Sequence, residues 1–186
     1  MANSAHGGLD SGAVAENGTL EKDLNLQIAK KVEKFIKIFG FACVMTRNDD
    51  SVSHSKFNKK RDMQDRLNMM KQYDNSIFVS IHLNKFSQKN CKGAQVLYSP
   101  KTADSSGLLA KKIQNSIVSG LQKSNKRTTV RADKGTFLLY NAPIPAVIVE
   151  CGFLSNPSDL KNLSSEDYQA KIAFCISTAI ADFLAK

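Results

Sequence analysis

The sequence predicts a three-layer α/β/α single domain built on a mainly parallel, twisted sheet. Short apolar, β-branched runs alternate with segments of three-and-four apolar spacing, which is the pattern of strands joined by crossover helices. Two of those runs, 76–82 and 145–150, are apolar enough to be covered on both faces, as strands of a parallel sheet are. A length of 186 residues suits one ordinary domain, so 1–186 is read as a single unit without repeats or linkers.

The elements follow in order. From Glu21 to about Phe39, Leu24, Ile28, Val32, Phe35, Ile36 and Phe39 make an apolar stripe, with Thr19 as N-cap and Gly40 as the stop. Phe41 to Thr46 is short, apolar and partly β-branched and reads as a strand, followed by the polar loop Arg47 to Asp50. Met63, Leu67 and Met70 give a narrow stripe to a second helix over Asn58 to Tyr73, and His54 before it is a solvated loop residue. Strands are expected at Ser76 to His82 and Gly93 to Tyr98, then a helix around Leu108 to Leu121. Phe137 to Tyr140 reads as a short extended piece, and Pro145 to Glu150 as the strongest strand. Asn156 and Pro157 start a short helix as N-cap and N1, and Glu166 to Leu184 forms the last, with Ile172, Ile176, Ile180 and Leu184 in its stripe.

Composition narrows the function classes. Apolar residues are 42% and charged residues 23%, with 10 Gly and 4 Pro, which excludes disordered, collagen-like and fibrous chains. The formal charge of +9 favours a polyanionic partner: nucleic acid, an anionic membrane or a carboxylate-rich wall polymer. Nucleic acid is disfavoured, because the Lys residues are scattered without the interleaved aromatics that base stacking uses. No run approaches the ~18 apolar residues of a membrane span, and nothing at the start resembles a signal peptide, so the chain is expected to be soluble, without export signal or anchor. Cys43, Cys91, Cys151 and Cys175 lack any CxxC pair, which argues against a zinc knuckle or a disulfide scaffold; Cys43 and Cys175, in apolar runs, read as buried thiols.

Four residues stand out chemically. His82 and Glu150 end apolar strands, and the C-terminal edge of an open α/β sheet is where ligands bind. His6 opens a His-Gly-Gly segment and Glu21 lies in the first turn of the first helix, so both can reach that edge from the preceding loop. A lone strand-end His is usually packed or solvated, and Glu21 has a structural excuse in the helix dipole. Glu150 has the poorest excuse, since a charge closing a Val-Ile-Val run is costly unless paired or functional. Two imidazoles and one carboxylate make a catalytic zinc shell with a position left for water, and a second carboxylate supplies a proton acceptor for amide hydrolysis.

Four blocks in order, His6-Gly7-Gly8-Leu9-Asp10-Ser11-Gly12-Ala13, Glu21-Lys22-Asp23-Leu24-Asn25-Leu26, Ser80-Ile81-His82-Leu83-Asn84 and Glu150-Cys151-Gly152-Phe153-Leu154-Ser155-Asn156-Pro157, resemble the zinc-dependent N-acetylmuramoyl-L-alanine amidases, type 3. The resemblance runs from His6 to the last helix. By position it implies that His6, Glu21 and His82 bind Zn2+ and that Glu150 is the catalytic carboxylate. It implies hydrolysis of the amide between N-acetylmuramic acid and L-alanine in bacterial peptidoglycan, in the cell envelope or the forespore, and the blocks are also similar to the small spore-cortex amidases. An accessory activator protein is an expected partner, and nucleic acid is not.

Members of that family usually carry an apolar strand and an Asp-x-Gly-His turn before the first block. Here Met1-Ala2-Asn3-Ser4-Ala5 precedes His6, so the first strand is expected to be missing or replaced, and Asn3 stands in place of a carboxylate that would support the imidazole. Three alternatives stay open from the sequence: a non-catalytic polyanion- or wall-binding protein, a metal-poor domain of the same fold that depends on a partner, and a zinc peptidase cutting within the stem peptide.

Overall fold

The computed structural model describes residues 1–50 and 58–185, and His54 lies outside the described residues. Strands β1 (Ala2–Ser4), β2 (Phe78–Asn84), β3 (Gln95–Tyr98), β4 (Val130–Arg131) and β5 (Ala146–Phe153) form one sheet in the order β1-β2-β5-β3-β4. The helices are α1 (Glu21–Ile38), α2 (Lys59–Met70), α3 (Ala103–Gly120), α4 (Phe137–Asn141), α5 (Pro157–Leu163) and α6 (Glu166–Leu184). β1, β2 and β5 are parallel, as are β3 and β4, whereas β3 meets β5 antiparallel. That reversal follows from the connection after β2, which carries no helix and so cannot return the chain in the same direction.

The sheet separates two apolar layers by strand parity. Val147, Val149 and Cys151 of β5 join Val79, Ile81 and Leu83 of β2 in the larger layer, packed on Leu24, Ile28 and Val32 of α1, Ile113 and Ile117 of α3, and Ile172 and Ile176 of α6. Ala146 and Ile148 face the other way, onto Leu67 and Met70 of α2 and Leu138 and Leu139 of α4. This second layer ends at Ile148. The next residue of the same parity is Glu150, so the sheet face beyond it is left to the loops that bring in the functional side chains.

Long periodic elements match their expected positions: α6 spans the predicted residues, and the Asn156 side chain caps α5 by accepting from the N–H groups of Ser158 and Asp159 at 3.0 Å each. Several short ones do not. The first strand is present, with Ala2, Asn3 and Ser4 paired to Val79, Ser80 and Ile81; three residues, two of them polar, are too few to show alternation. Phe41 to Thr46 is not a strand: it touches β1 through one bridge, Ala2 to Met45, because β1 offers so little edge to pair with. Phe137 to Tyr140 is a helical turn, since Leu138 and Leu139 fill the small apolar layer, and a run this short has no legible period.

Boundaries shift at the functional edge too. The cap of α1 is Leu20, without a side-chain bond, and not Thr19. β2 and β5 continue past His82 and Glu150, to Asn84 and Phe153, so both residues lie inside their strands. Between His82 and Asn84 the register slips, a bulge of the kind that re-aims side chains beside functional sites. Cys175 is buried, while Cys43 is only half-buried, at the edge beside β1. Among the described residues no helix is long and apolar enough to cross a membrane.

Candidate metal centre and active site

His82 on β2 and Glu150 on β5 are register partners, and parallel pairing at the same parity puts both side chains on the face that α2 and α4 leave open. Glu21, the first residue of α1, enters between them and the loop that carries His6. Its Oε1 lies 3.2 Å from His82 Nδ1 and its Oε2 3.4 Å from His6 Nε2. The His6 and His82 rings stand edge to face, with centroids 5.3 Å apart. One donor atom from each of His6, Glu21 and His82 falls within 4.8 Å of the others.

Glu21 is fixed before any ligand arrives. Only 4% exposed, it accepts from the N–H of Leu83 at 3.1 Å, from Asn25 Nδ2 at 3.2 Å and from the N–H of Ala13 at 2.8 Å. Gly12 makes this approach possible: with φ of +65°, a Cβ there would lie 2.6 Å from Glu21 Oε2 and 2.8 Å from His6 Cδ2. Burial by itself would raise the Glu21 pKa, but hydrogen bonds from His6 and His82 and their charges outweigh it and hold the carboxylate well below its ordinary range. His6 answers in the opposite sense, its pKa raised by Glu21 and Asp10 against the lowering effect of burial.

His6 itself adopts φ of +60°, the left-handed region that costs a non-glycine residue energy and persists only where the surroundings impose it. Two buried arginines impose it here. Arg66 donates from Nη2 to the His6 carbonyl at 3.2 Å and from Nη1 to the Ser4 carbonyl at 2.9 Å. Arg47 donates to the carbonyls of Ser4 and Ala5, each at 3.2 Å, and to that of Lys22 at 2.7 Å, tying the loop to α1.

The carboxylate beside His6 comes from Asp10 and not from position 3. Asn3 does not support His6: it donates to Ser80 Oγ at 2.6 Å and accepts from Arg66 at 2.5 Å and Thr46 at 2.7 Å. Asp10 lies beside the imidazole, with Oδ2 2.9 Å from His6 Nδ1, at ion-pair distance though without hydrogen-bond alignment. Asp10, Arg47 and Arg66 are site-supporting residues that the sequence did not single out. Asp10 had a legible signal in its place within the Gly-rich His6 to Ala13 block; the arginines act across long sequence separations and had none.

The donor set fits zinc. Two imidazoles and one carboxylate are a zinc donor set that leaves a position for water, and Glu21 touches one imidazole with each of its oxygens. Glu150 supplies a second indication, because its Oε2 is buried with no hydrogen-bond partner among the described residues. Orphaned buried oxygens are rare and ask for a group the polypeptide does not provide. Burial, with a smaller contribution from Glu21, pushes the Glu150 pKa up to about 6 against the opposing charges of His82 and His6. All four residues singled out in the sequence thus meet at one sheet edge.

The chain is similar to known proteins over nearly its whole length. Residues 1–182 match the family described as N-acetylmuramoyl-L-alanine amidase, Amidase_3. The chain is 32% identical over 184 residues to the germination-specific N-acetylmuramoyl-L-alanine amidase of Bacillus subtilis, covering 94% of this chain and 75% of that one. The CwlD amidase of Clostridioides difficile, solved in complex with the GerS lipoprotein, superposes with a TM-score of 0.88 at 36% identity, covering 99% of this chain and 96% of that one. The amidase AmiC2 of Nostoc punctiforme superposes with a TM-score of 0.84 at 29% identity, covering 100% and 96%. With residues 1–182 matched, the chain belongs to the N-acetylmuramoyl-L-alanine amidase family.

Proposed function

We propose that residues 1–186 act as one catalytic unit that cleaves the amide between N-acetylmuramic acid and L-alanine in peptidoglycan, with zinc held by His6, Glu21 and His82 and with Glu150 as the proton-transfer group. The observation that carries this reading is the convergence of His6, Glu21 and His82 beside an orphaned Glu150 in a chain of this family. When bound, zinc supplies Lewis acidity, polarising a carbonyl and lowering the pKa of water toward neutrality.

The remaining chemistry belongs to the chain. Ionised Glu150 accepts a proton from the attacking water, and protonated Glu150 then donates it to the departing L-alanine nitrogen. Burial, which raises the Glu150 pKa in the metal-free chain, favours the protonated form that this exchange passes through. Glu21, anchored by three hydrogen-bond donors, holds its place between the imidazoles, and Asp10 orients His6.

The similarity to the germination-specific enzyme and to the CwlD amidase supports a role on spore-cortex peptidoglycan, outside the cytoplasm in the envelope or forespore. That relative's complex with a lipoprotein also supports an accessory partner for this chain. The test is elemental analysis of the purified chain together with release of stem peptides from peptidoglycan, with and without added zinc. About one zinc per chain and chelator-sensitive release of peptides beginning with L-alanine is the expected result. Products cut within the stem peptide would overturn the assignment of the bond.

A further inference from the structure

The row of side chains that includes His82 and Glu150 extends one strand further. Gln95 on β3 pairs with Glu150, and it shares parity with Leu97, which packs in the small apolar layer with Ile148. His82, Glu150 and Gln95 therefore line up across three adjacent strands on one face. Gln95 serves a neighbour: its Oε1 accepts from Arg127 Nη1 at 3.0 Å, and its Nε2 donates to the Thr128 carbonyl at 2.9 Å.

Arg127 is held on three sides. Besides Gln95, its Nε donates to the Lys92 carbonyl at 3.0 Å, and its guanidinium carbon lies 4.6 Å above the centre of the Phe153 ring. It is nevertheless half-exposed, its Nη2 has no hydrogen-bond partner among the described residues, and no carboxylate there is in ion-pair contact with it. Arg127 also borders a groove of about 660 Å³ whose other walls include Lys92, Lys126, Asn125, Leu121 at the end of α3 and Tyr168 of α6, and do not include His82 or Glu150. Asp159, the one acid lining it among the described residues, is engaged with the backbone, accepting from the N–H groups of Gly93 at 2.8 Å and Phe153 at 2.9 Å.

We propose that this groove is a substrate subsite in which Arg127 receives a carboxylate of the stem peptide while the scissile amide lies against Glu150. The inference rests on the amidase reading and adds to it the part of the substrate that is recognised. A guanidinium whose orientation is already fixed binds a carboxylate with little further ordering, and its planar fork suits that group better than an ammonium does. One strand spacing separates Glu150 from Gln95 and one side-chain contact separates Gln95 from Arg127, a reach of roughly 10 Å, or about three extended residues. The recognised carboxylate therefore belongs to the second or third residue of the stem.

The experiment compares two synthetic muramoyl tripeptides, one with free carboxylates on residues two and three and one with both amidated, by calorimetric binding to the chain carrying Glu150→Gln, which leaves the ligand uncut. The free acid binds about tenfold more tightly or better, and adding Arg127→Gln brings the ratio near one. Arg127→Lys, which keeps the charge without the fork, retains part of the preference, and melting curves confirm that each variant is folded. Equal binding of the two peptides to the Glu150→Gln chain, or an undiminished preference after Arg127→Gln, overturns the subsite. Hydrolysis by the unaltered enzyme is followed in parallel: cleavage of both peptides without preference sinks the subsite alone, whereas cleavage of neither sinks the amidase reading.

Discussion

His82 and Glu150 sit directly opposite each other across β2 and β5, one pair of a parallel ladder, on the one sheet face that no helix covers at that level. A single register thus places an imidazole of the candidate metal site beside the carboxylate of Glu150, and rigid strands hold both. Glu150→Gln keeps shape and volume but removes the proton acceptor. Zinc content is expected to stay unchanged while turnover falls by a factor on the order of 10² or more, measured as stem-peptide release at saturating substrate.

The same substitution has a stability signature in the metal-free chain. A carboxyl whose pKa rises from 4.5 unfolded to about 6 folded binds more protons in the native state between those values, so its contribution to stability falls as pH increases through that window. At pH 7 the cost is about 2 kcal/mol, because each tenfold change in proton affinity corresponds to roughly 1.4 kcal/mol. Glu150→Gln is therefore more stable than the parent at pH 7 by about that amount, and the advantage vanishes near pH 4.5. Urea unfolding of both proteins across this range measures the difference; a constant gap at every pH would contradict the buried, proton-binding carboxyl.

Metal affinity should grade with distance from the centre. His82→Ala removes a direct donor and is expected to lose both zinc and activity. Asp10→Asn alters only the group beside His6 Nδ1, and a loss of about 10- to 100-fold in zinc affinity is the usual consequence of such a change. Competitive titration against a chelator dye orders the two. Equal affinity in the parent and His82→Ala chains would move the metal elsewhere.

How far the sequence revealed this molecule depended on how many residues each feature spans. α1 and α6 carry four or more turns of stripe, enough to fix both their existence and their limits within a few residues. β1, β4 and α4, at three, two and five residues, are shorter than any period, and β1 in particular is held by pairing to a strand 77 positions away. His82 and Glu150 were legible as polar residues in apolar strands, although both sit inside the strand rather than at its end, because Leu83, Cys151 and Phe153 keep the edge buried. The backbone grip on His6 was not legible, since guanidinium–carbonyl bonds leave no spacing pattern.

That grip can be tested at Arg66. It is buried, paired with Asp62 Oδ2 at 2.9 Å, and bonded to the carbonyls of Ser4 and His6. Arg66→Leu strands the Asp62 charge together with the Ser4 and His6 carbonyls and removes a donor to Asn3, and the expected loss of stability is about 3–5 kcal/mol. Arg66→Lys places one ammonium where a planar fork reaches Asp62, Asn3, Ser4 and His6, so it restores charge but not the positive φ of His6. Under conditions where Arg66→Lys is fully folded by circular dichroism, its zinc affinity should still fall; parent-like affinity would mean that the loop holds its shape without the fork.

Cys151 adjoins Glu150 in sequence and could pass for a nucleophile, but strand parity separates them. Its side chain points into the larger apolar layer, fully buried with Val149 and Ile176, on the opposite face from Glu150. Burial, and then the nearby Glu150 charge, pushes the thiol far above its ordinary pKa, which suppresses the thiolate that nucleophilic chemistry needs. Cys151→Ser should keep turnover within about threefold of the parent, at a stability cost of about 1–3 kcal/mol for a hydroxyl in an apolar site. Alkylation of the native chain should label half-exposed Cys91 well before Cys151. Complete inactivation of a folded Cys151→Ser chain would replace the metal-assisted reading with a thiol mechanism, and the persistence of activity after full alkylation of Cys43 and Cys91 would exclude the two partly exposed thiols as well.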